Sequence, residues 1–212
     1  MKTVGLTENS FKKVLSRAER ILCSGGVIVV PTDTVYGIIG DATRPEVIKK
    51  IFAMKGRVAE KALPIFVKSV ADARKYAYIS DAKAVFLEKA WPGPVTVVFR
   101  HKEKLPKVLT GGKDTIGMRT PHHLFILELL SRLDFPLAET SANISGMLAA
   151  RSAKNVEIYF GKAKIRPDLV IDGGEATGKP SVVIDFTGKE PVILRTGLVS
   201  KNELDRTLDS VR

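Results

Sequence analysis

Apolar residues recur along the chain at two spacings, and they alternate. Between Thr7 and the Gly25-Gly26 pair, Phe11, Val14, Leu15, Ala18, Ile21 and Leu22 share one face at helical spacing. Thr7 is a good amino-terminal cap, so a helix is expected from there to the glycines. GVIVV follows with no polar residue on either face, the pattern of a central strand covered on both sides. PEVIKKIFAMKGR reads as a helix with Pro45 in its first turn, ALPIFVK as a strand and DAKAVFLEKAW as a helix. PGPVTVVFR and TIGMR read as strands, HHLFILELLSRL as an amphipathic helix and FPLAET as a short strand entering a loop. SAKNVEIYFGK is a helix by the same spacing, DLVID, SVVIDF and PVILR are strands, and KNELDRTLDSV is a closing helix.

This interleaving, without repeats, low-complexity tracts or a Pro/Ser-rich linker, predicts one α/β domain over residues 1–212, built on a mixed sheet. In open α/β sheets ligands bind beyond the strand ends. The stretch VVPTDTVYGIIG, where an apolar strand stops at Pro31 and turns to Thr32, Asp33, Thr34 and Tyr36, is therefore a site wall or an ordinary turn.

Composition narrows the class. With 212 residues, 44% hydrophobic and 27% charged, the chain can bury a full core. No apolar run approaches the roughly 20 residues of a membrane span, and MKTVGLTENSFKK lacks the features of a signal peptide, so a cytoplasmic protein without a membrane partner is expected. Its one cysteine, Cys23, excludes an internal disulfide and a cysteine-rich zinc site, and its apolar neighbours predict a core thiol. A net charge of +11 suggests an anionic partner such as a nucleotide or RNA.

Several motifs fail on their chemistry. GGEATGKP has P-loop glycine spacing and Lys179, but Pro180 stands where a hydroxyl must ligate magnesium; TGGKDT puts Asp114 there. His101, His122 and His123 lack ligand spacing, so no metal held by protein side chains is expected. NIS at 143–145 is a chance sequon.

The cations are more informative. Lys55 and Arg57 lie at a helix end before irregular chain, a position the helix dipole favours for structural reasons alone by about 0.3–1 kcal/mol. ETSANISG can present hydroxyl, amide and backbone donors to an anion. Arg119 and Arg195 each end an apolar strand, and guanidinium groups beside hydroxyl loops suit a polyphosphate or carboxylate pocket.

PTDTVYG, KGR, TSANISG, SVVID and LRTG, in that order and at these separations, resemble the YrdC/Sua5 family, the threonylcarbamoyl-AMP synthases, from about residue 10 to 200. The resemblance is to the short form, the YrdC-like domain alone. It implies a twisted mixed sheet flanked by helices with a basic concave face. It also implies a nucleotidyltransferase that joins L-threonine, bicarbonate and ATP into threonylcarbamoyl-AMP and pyrophosphate, with magnesium bound to the ATP. The product serves threonylcarbamoyl modification of the tRNA adenosine beside the anticodon, which makes tRNA or a tRNA-modification complex a further partner. Carried over by position, Lys55, Arg57, Ser141, Asn143 and Arg195 would bind ATP, with Lys55 and Arg57 catalytic, while Thr34, Arg119 and Ser181 would hold threonine. Where the family usually has prolines after K-G-R, this chain has Val58, Ala59 and Ala62, and Leu148-Ala149 replaces its proline-serine pair. No general base is needed on this reading, since positioning and charge neutralisation govern the phosphorus step. The alternative is a non-catalytic RNA-binding module, which accounts for the charge but not for the clustered hydroxyl loops.

Overall fold

The computed structural model describes residues 1–56 and 62–197. Within them the chain runs β1 (Thr3–Gly5), α1 (Phe11–Cys23), β2 (Val27–Val30), β3 (Gly37–Asp41), α2 (Pro45–Lys55), β4 (Ile65–Phe66), α3 (Val70–Ala73), α4 (Asp81–Ala90) and β5 (Val95–Arg100). It continues through α5 (Lys107–Thr110), β6 (Thr115–Arg119), α6 (Leu124–Arg132), β7 (Leu137–Ser141), α7 (Ala153–Phe160), β8 (Leu169–Asp172), β9 (Val182–Asp185) and β10 (Val192–Arg195). These strands form one mixed sheet in the order β1-β8-β2-β3-β7-β4-β6-β5-β9-β10. The pairs β1/β8, β2/β8, β4/β6 and β5/β9 are parallel, and the others are antiparallel.

β2 lies inside the sheet and is covered on both faces, as its sequence predicts. Val27 and Val29 pack beneath α2 and α7, and Ile28 and Val30 beneath α1 and α6. Burying an aliphatic side chain contributes about 1.5–3 kcal/mol, against a β-propensity scale that spans about 1 kcal/mol, so burial rather than propensity settles this strand.

The two sheet faces are unequal, and that inequality makes the site. One face is covered along its length by α2, α4, α5 and α7, through residues such as Ile48, Ile51, Phe86, Leu109 and Phe160. On the other, α1 and α6 cover only the part formed by Ile28, Ile39, Phe66, Leu137 and Ile171. Beyond them Gly117, Thr96, Val98, Val183 and Asp185 of β6, β5 and β9 face an open cleft.

Several expectations are corrected. The first helix begins at Phe11, because Thr7 and Ser10 form a turn of their own: the Ser10 hydroxyl accepts from the Thr7 amide at 2.8 Å and donates to the Gly5 carbonyl at 2.8 Å. β3, within the stretch read as a loop, is a five-residue strand; its two glycines dilute the β signal, and pairing with β2 and β7 supplies the order. ALPIFVK contracts to two ladder residues. Cys23 is exposed, not buried, because α1 turns Leu22 inward and the next residue outward. Partial desolvation, with Glu19 and Asp134, still pushes its thiol up, so it is not activated. KNELDRTLDSV lies outside the described residues. No described helix is long and apolar enough to cross a membrane.

Candidate functional site

The uncovered part of the sheet is the floor of a cleft of about 770 Å³. Its walls are the loop from Thr32 to Gly37, the loop from Asn143 to Ala149, the stretch from Gly178 to Ser181, and Leu194-Arg195. A second groove of about 490 Å³, beside Leu6, Phe11 and Leu124, holds none of the residues singled out from the sequence.

Arg119, the last residue of β6, enters the cleft from below and is only 3% exposed. Its Nε donates to the Gly93 carbonyl at 2.9 Å, one terminal nitrogen donates to Thr34 Oγ1 at 3.3 Å, and the other bonds the Asp33 carboxylate. A guanidinium has five N–H groups, so two remain for a ligand, already aimed by the three that are anchored. Thr34 is buried and its hydroxyl lies 2.9 Å from Thr32 Oγ1, so in this structure it positions Arg119. The stretch PTDTVYG is therefore turned inward rather than exposed. Asp33 spans Arg119 and the His122 amide (3.1 Å), while Tyr36 is fully buried and its hydroxyl donates to the Gly174 carbonyl at 2.6 Å. Burial pushes the Tyr36 hydroxyl up to about 12, which keeps it a neutral brace.

Ser181 and Arg195 act as a pair. Arg195 Nε donates to the Ser181 carbonyl at 2.9 Å and a terminal nitrogen reaches Ser181 Oγ at 3.0 Å; that oxygen also lies 3.0 Å from Thr96 Oγ1. Gly197 makes the approach possible. Its φ is +59°, and a Cβ there would sit 2.4 Å from the Ser181 carbonyl carbon, so LRTG needs its glycine for space as well as for backbone conformation.

Lys55 organises the opposite wall. Gly56, at φ +56°, ends α2 immediately after it. Lys55 is 3% exposed as a residue, and its ammonium donates to the carbonyls of Ser141 and Asn143 and to Asn143 Oδ1 at 2.5, 3.0 and 2.7 Å. Ser141 Oγ donates to the same Asn143 oxygen at 2.8 Å, and the Ser145 amide donates to the Lys55 carbonyl at 2.9 Å. The ETSANISG loop is thus tied to the helix end by one cation. Arg57, Val58 and Ala59 lie outside the described residues, whereas Ala62 lines the cleft.

Six of the eight expected residues line one cleft, Thr34 with Arg119, Ser181 with Arg195, and Ser141 with Asn143, and Lys55 is bonded to the last pair from behind. The Sua5/YciO/YrdC family model, described as telomere recombination, matches residues 20–197. The chain belongs to this family.

Among relatives of this Sua5/YciO/YrdC chain is the threonylcarbamoyl-AMP synthase of Pyrococcus abyssi, 38% identical over 191 residues, which span 89% of this chain and 55% of the relative. A putative threonylcarbamoyl-AMP synthase of Methanocaldococcus jannaschii is 32% identical over 207 residues, covering 97% of this chain and 96% of the relative. The crystal structure of P. abyssi Sua5 complexed with L-threonine superposes with a TM-score of 0.89 at 35% identity, over 100% of this chain and 61% of that one. The chain thus spans a little over half the length of the P. abyssi protein and nearly all of the M. jannaschii one.

Two residues in or behind the cleft of this Sua5/YciO/YrdC protein escape a reading of its sequence. Asp33, inside a recognised motif, has no visible role until Arg119 is folded against it. Glu139 lies on β7 inside the strand-like run FPLAET, yet its side chain lines the cleft. Its burial pushes the carboxyl above the usual carboxylate range, against the pull of Arg119, Arg195 and Lys55. The signal for it was available: an acidic residue in a strand otherwise suited to burial is out of place unless something charged meets it.

Proposed function

We propose that the protein is an L-threonylcarbamoyladenylate synthase, a nucleotidyltransferase that forms threonylcarbamoyl-AMP and pyrophosphate from L-threonine, bicarbonate and ATP. The observation that carries this reading is that Arg119, Thr34, Ser181, Arg195, Ser141 and Asn143 line one cleft, with the Lys55 ammonium bonded to Ser141 and Asn143 behind it. The relatives' names support it, as does the threonine complex of P. abyssi Sua5.

On this reading the two remaining N–H groups of Arg119 take the threonine carboxylate, a charge-assisted fork for a planar anion. The phosphate chain lies along the Ser141–Asn143 loop beside Arg195 and the Lys55 charge, with Arg57 assigned by its place in K-G-R. The threonine amine and bicarbonate give a carbamate. Its oxygen attacks the α-phosphorus, a new P–O bond forms, and the bond to the β-phosphate oxygen breaks with its electron pair leaving on pyrophosphate. Magnesium would arrive with ATP and would supply charge neutralisation at that leaving group. The protein contributes position and fixed positive charge. The adenylate then serves modification of tRNA in the cytoplasm.

Pyrophosphate release decides the matter. Purified protein with magnesium and ATP is expected to release little pyrophosphate alone, or with threonine or bicarbonate singly, and to release it steadily only with both. An RNA-binding module without chemistry gives no pyrophosphate in any mixture and binds RNA in a steeply salt-dependent way. Release indifferent to threonine and bicarbonate overturns the assignment.

Ser181→Ala offers a finer check, because Ser181 supports Arg195 as well as the threonine side. The substitution is expected to raise the KM for both ATP and threonine by about 3- to 10-fold, the loss of a hydrogen bond worth about 1 kcal/mol on each side. Steady-state kinetics with each substrate varied will show it; an effect on threonine alone would mean that Arg195 does not depend on this hydroxyl.

A further inference from the structure

Building on the synthase reading, we propose that Glu139 is the proton acceptor for the amine of the amino-acid substrate: its carboxylate receives the α-ammonium group while Arg119 holds the α-carboxylate.

The sheet register places the two groups. Ile65 of β4 pairs with Ala138 on one side and Met118 on the other, so Glu139, Pro64 and Gly117 follow in one row on the cleft face, and the row continues to Val98 and Asp185. The Glu139 amide donates to the Pro64 carbonyl at 2.9 Å, which fixes that end of the row. Between Pro64 and Val98 the floor dips, because Gly117 carries no side chain; a Cβ there would approach Pro64 Cβ to 3.2 Å. Arg119 stands one row along and leans over β4, its Cζ 5.9 Å from the centre of the Phe66 ring. A carboxylate on β7 and a guanidinium that leans over the neighbouring β4 thus line the same stretch of the cleft floor, suited to the two ends of an α-amino acid.

Glu139 is also chemically available. The cations that face it are Arg119 from β6, Arg195 from β10 and Lys55 from α2, with Asp33 as the nearby anion. Lys113 and Asp185 line the cleft further off. The two arginines direct their hydrogen bonds elsewhere, to Gly93, Thr34, Asp33 and Ser181, and no described residue donates a hydrogen bond to the Glu139 side chain. Gly37 leaves room beside it: Glu139 Oε2 is 3.9 Å from the place a Cβ on Gly37 would occupy. Burial pushes the carboxyl above the usual carboxylate range, the direction that strengthens it as a base.

That no general base is expected concerns the phosphorus step; the amine step gains from one, because an ammonium nitrogen has no lone pair. A Glu139 oxygen takes one proton from the ammonium. Glu139 returns that proton to the bicarbonate hydroxyl, which leaves as water and yields carbon dioxide. The amine lone pair forms the N–C bond, one C=O electron pair moves onto oxygen, and the nitrogen releases a second proton to solvent. Carbamate, water and one proton result from ammonium and bicarbonate, and Glu139 ends ionised.

The test compares wild-type protein with Glu139→Gln and Glu139→Ala, measuring pyrophosphate release over a range of pH, ATP binding by calorimetry, and thermal melting. Wild-type turnover is expected to rise with pH through a group above the usual carboxylate range, since only ionised Glu139 accepts a proton. Glu139→Gln is expected to lose that limb and about 100-fold or more in turnover at neutral pH, while binding ATP within about threefold of wild type. Added formate is expected to restore part of the activity of Glu139→Ala, which a merely structural role would not produce. If wild type needs threonine and bicarbonate but Glu139→Gln matches its rate and pH profile, or fails only through lost ATP binding, the role of Glu139 is overturned alone. If wild-type release ignores threonine and bicarbonate, the synthase reading falls and the proposal with it.

Discussion

Lys55→Ala is expected to lower threonine- and bicarbonate-dependent pyrophosphate release by about 100- to 1,000-fold. Lys55 acts there through its fixed charge and through the Ser141–Asn143 loop that it holds, and losing such preorganised stabilisation typically costs about 2.7–4 kcal/mol, which is that factor in rate. The structure adds a second consequence that the position of Lys55 at a helix end does not suggest. Its ammonium is buried and bridges the carbonyls of Ser141 and Asn143 and the Asn143 side chain. Alanine leaves these acceptors without that donor, and because the loop is partly open to water the expected loss of stability is about 1–3 kcal/mol. Lys55→Ala should therefore melt several degrees earlier and bind ATP more weakly, with the sheet intact by circular dichroism. Near wild-type turnover with unchanged melting would remove Lys55 from the site.

Arg119→Ala is expected to reduce kcat/KM for threonine by roughly 30-fold to a few thousand-fold while ATP still binds. Truncating one partner of a buried charge pair typically costs about 2–5 kcal/mol, much of it from the charge left behind. Here that charge is Asp33, so the effect has two separable parts. Asp33→Asn in the Arg119→Ala background is expected to recover much of the stability but none of the threonine dependence. Arg119→Lys is expected to behave nearly as poorly as alanine, because an ammonium cannot reach Gly93, Thr34 and Asp33 and still offer two parallel N–H groups. Calorimetry with ATP and with threonine measures the two affinities separately. Loss of ATP with threonine retained would exchange the two sides of the cleft.

The sequence by itself determined the elements whose burial is written in local spacing. β2 is apolar on both faces and lies inside the sheet, and α2 begins at Pro45 and ends at Gly56 as its residues require. It also placed Arg119 and Arg195 at strand ends, and through its motifs it named the family that residues 20–197 match. Only the tertiary structure decided what these groups do. β3 exists because two neighbouring strands complete its hydrogen bonds, not because GIIGD is a strong strand sequence. Cys23 faces solvent because Leu22 takes the buried side of α1. Lys55 turned from a cation at a helix end into the tie of a loop, and Glu139 from one acidic residue in a strand into a carboxyl among three cations. Periodicity is a property of neighbours along the chain, and each segment carries it alone. Burial, partners and titration of a side chain are sums over elements far apart in sequence, and they acquire values only when α1 and α6 cover one part of the sheet and leave the other open.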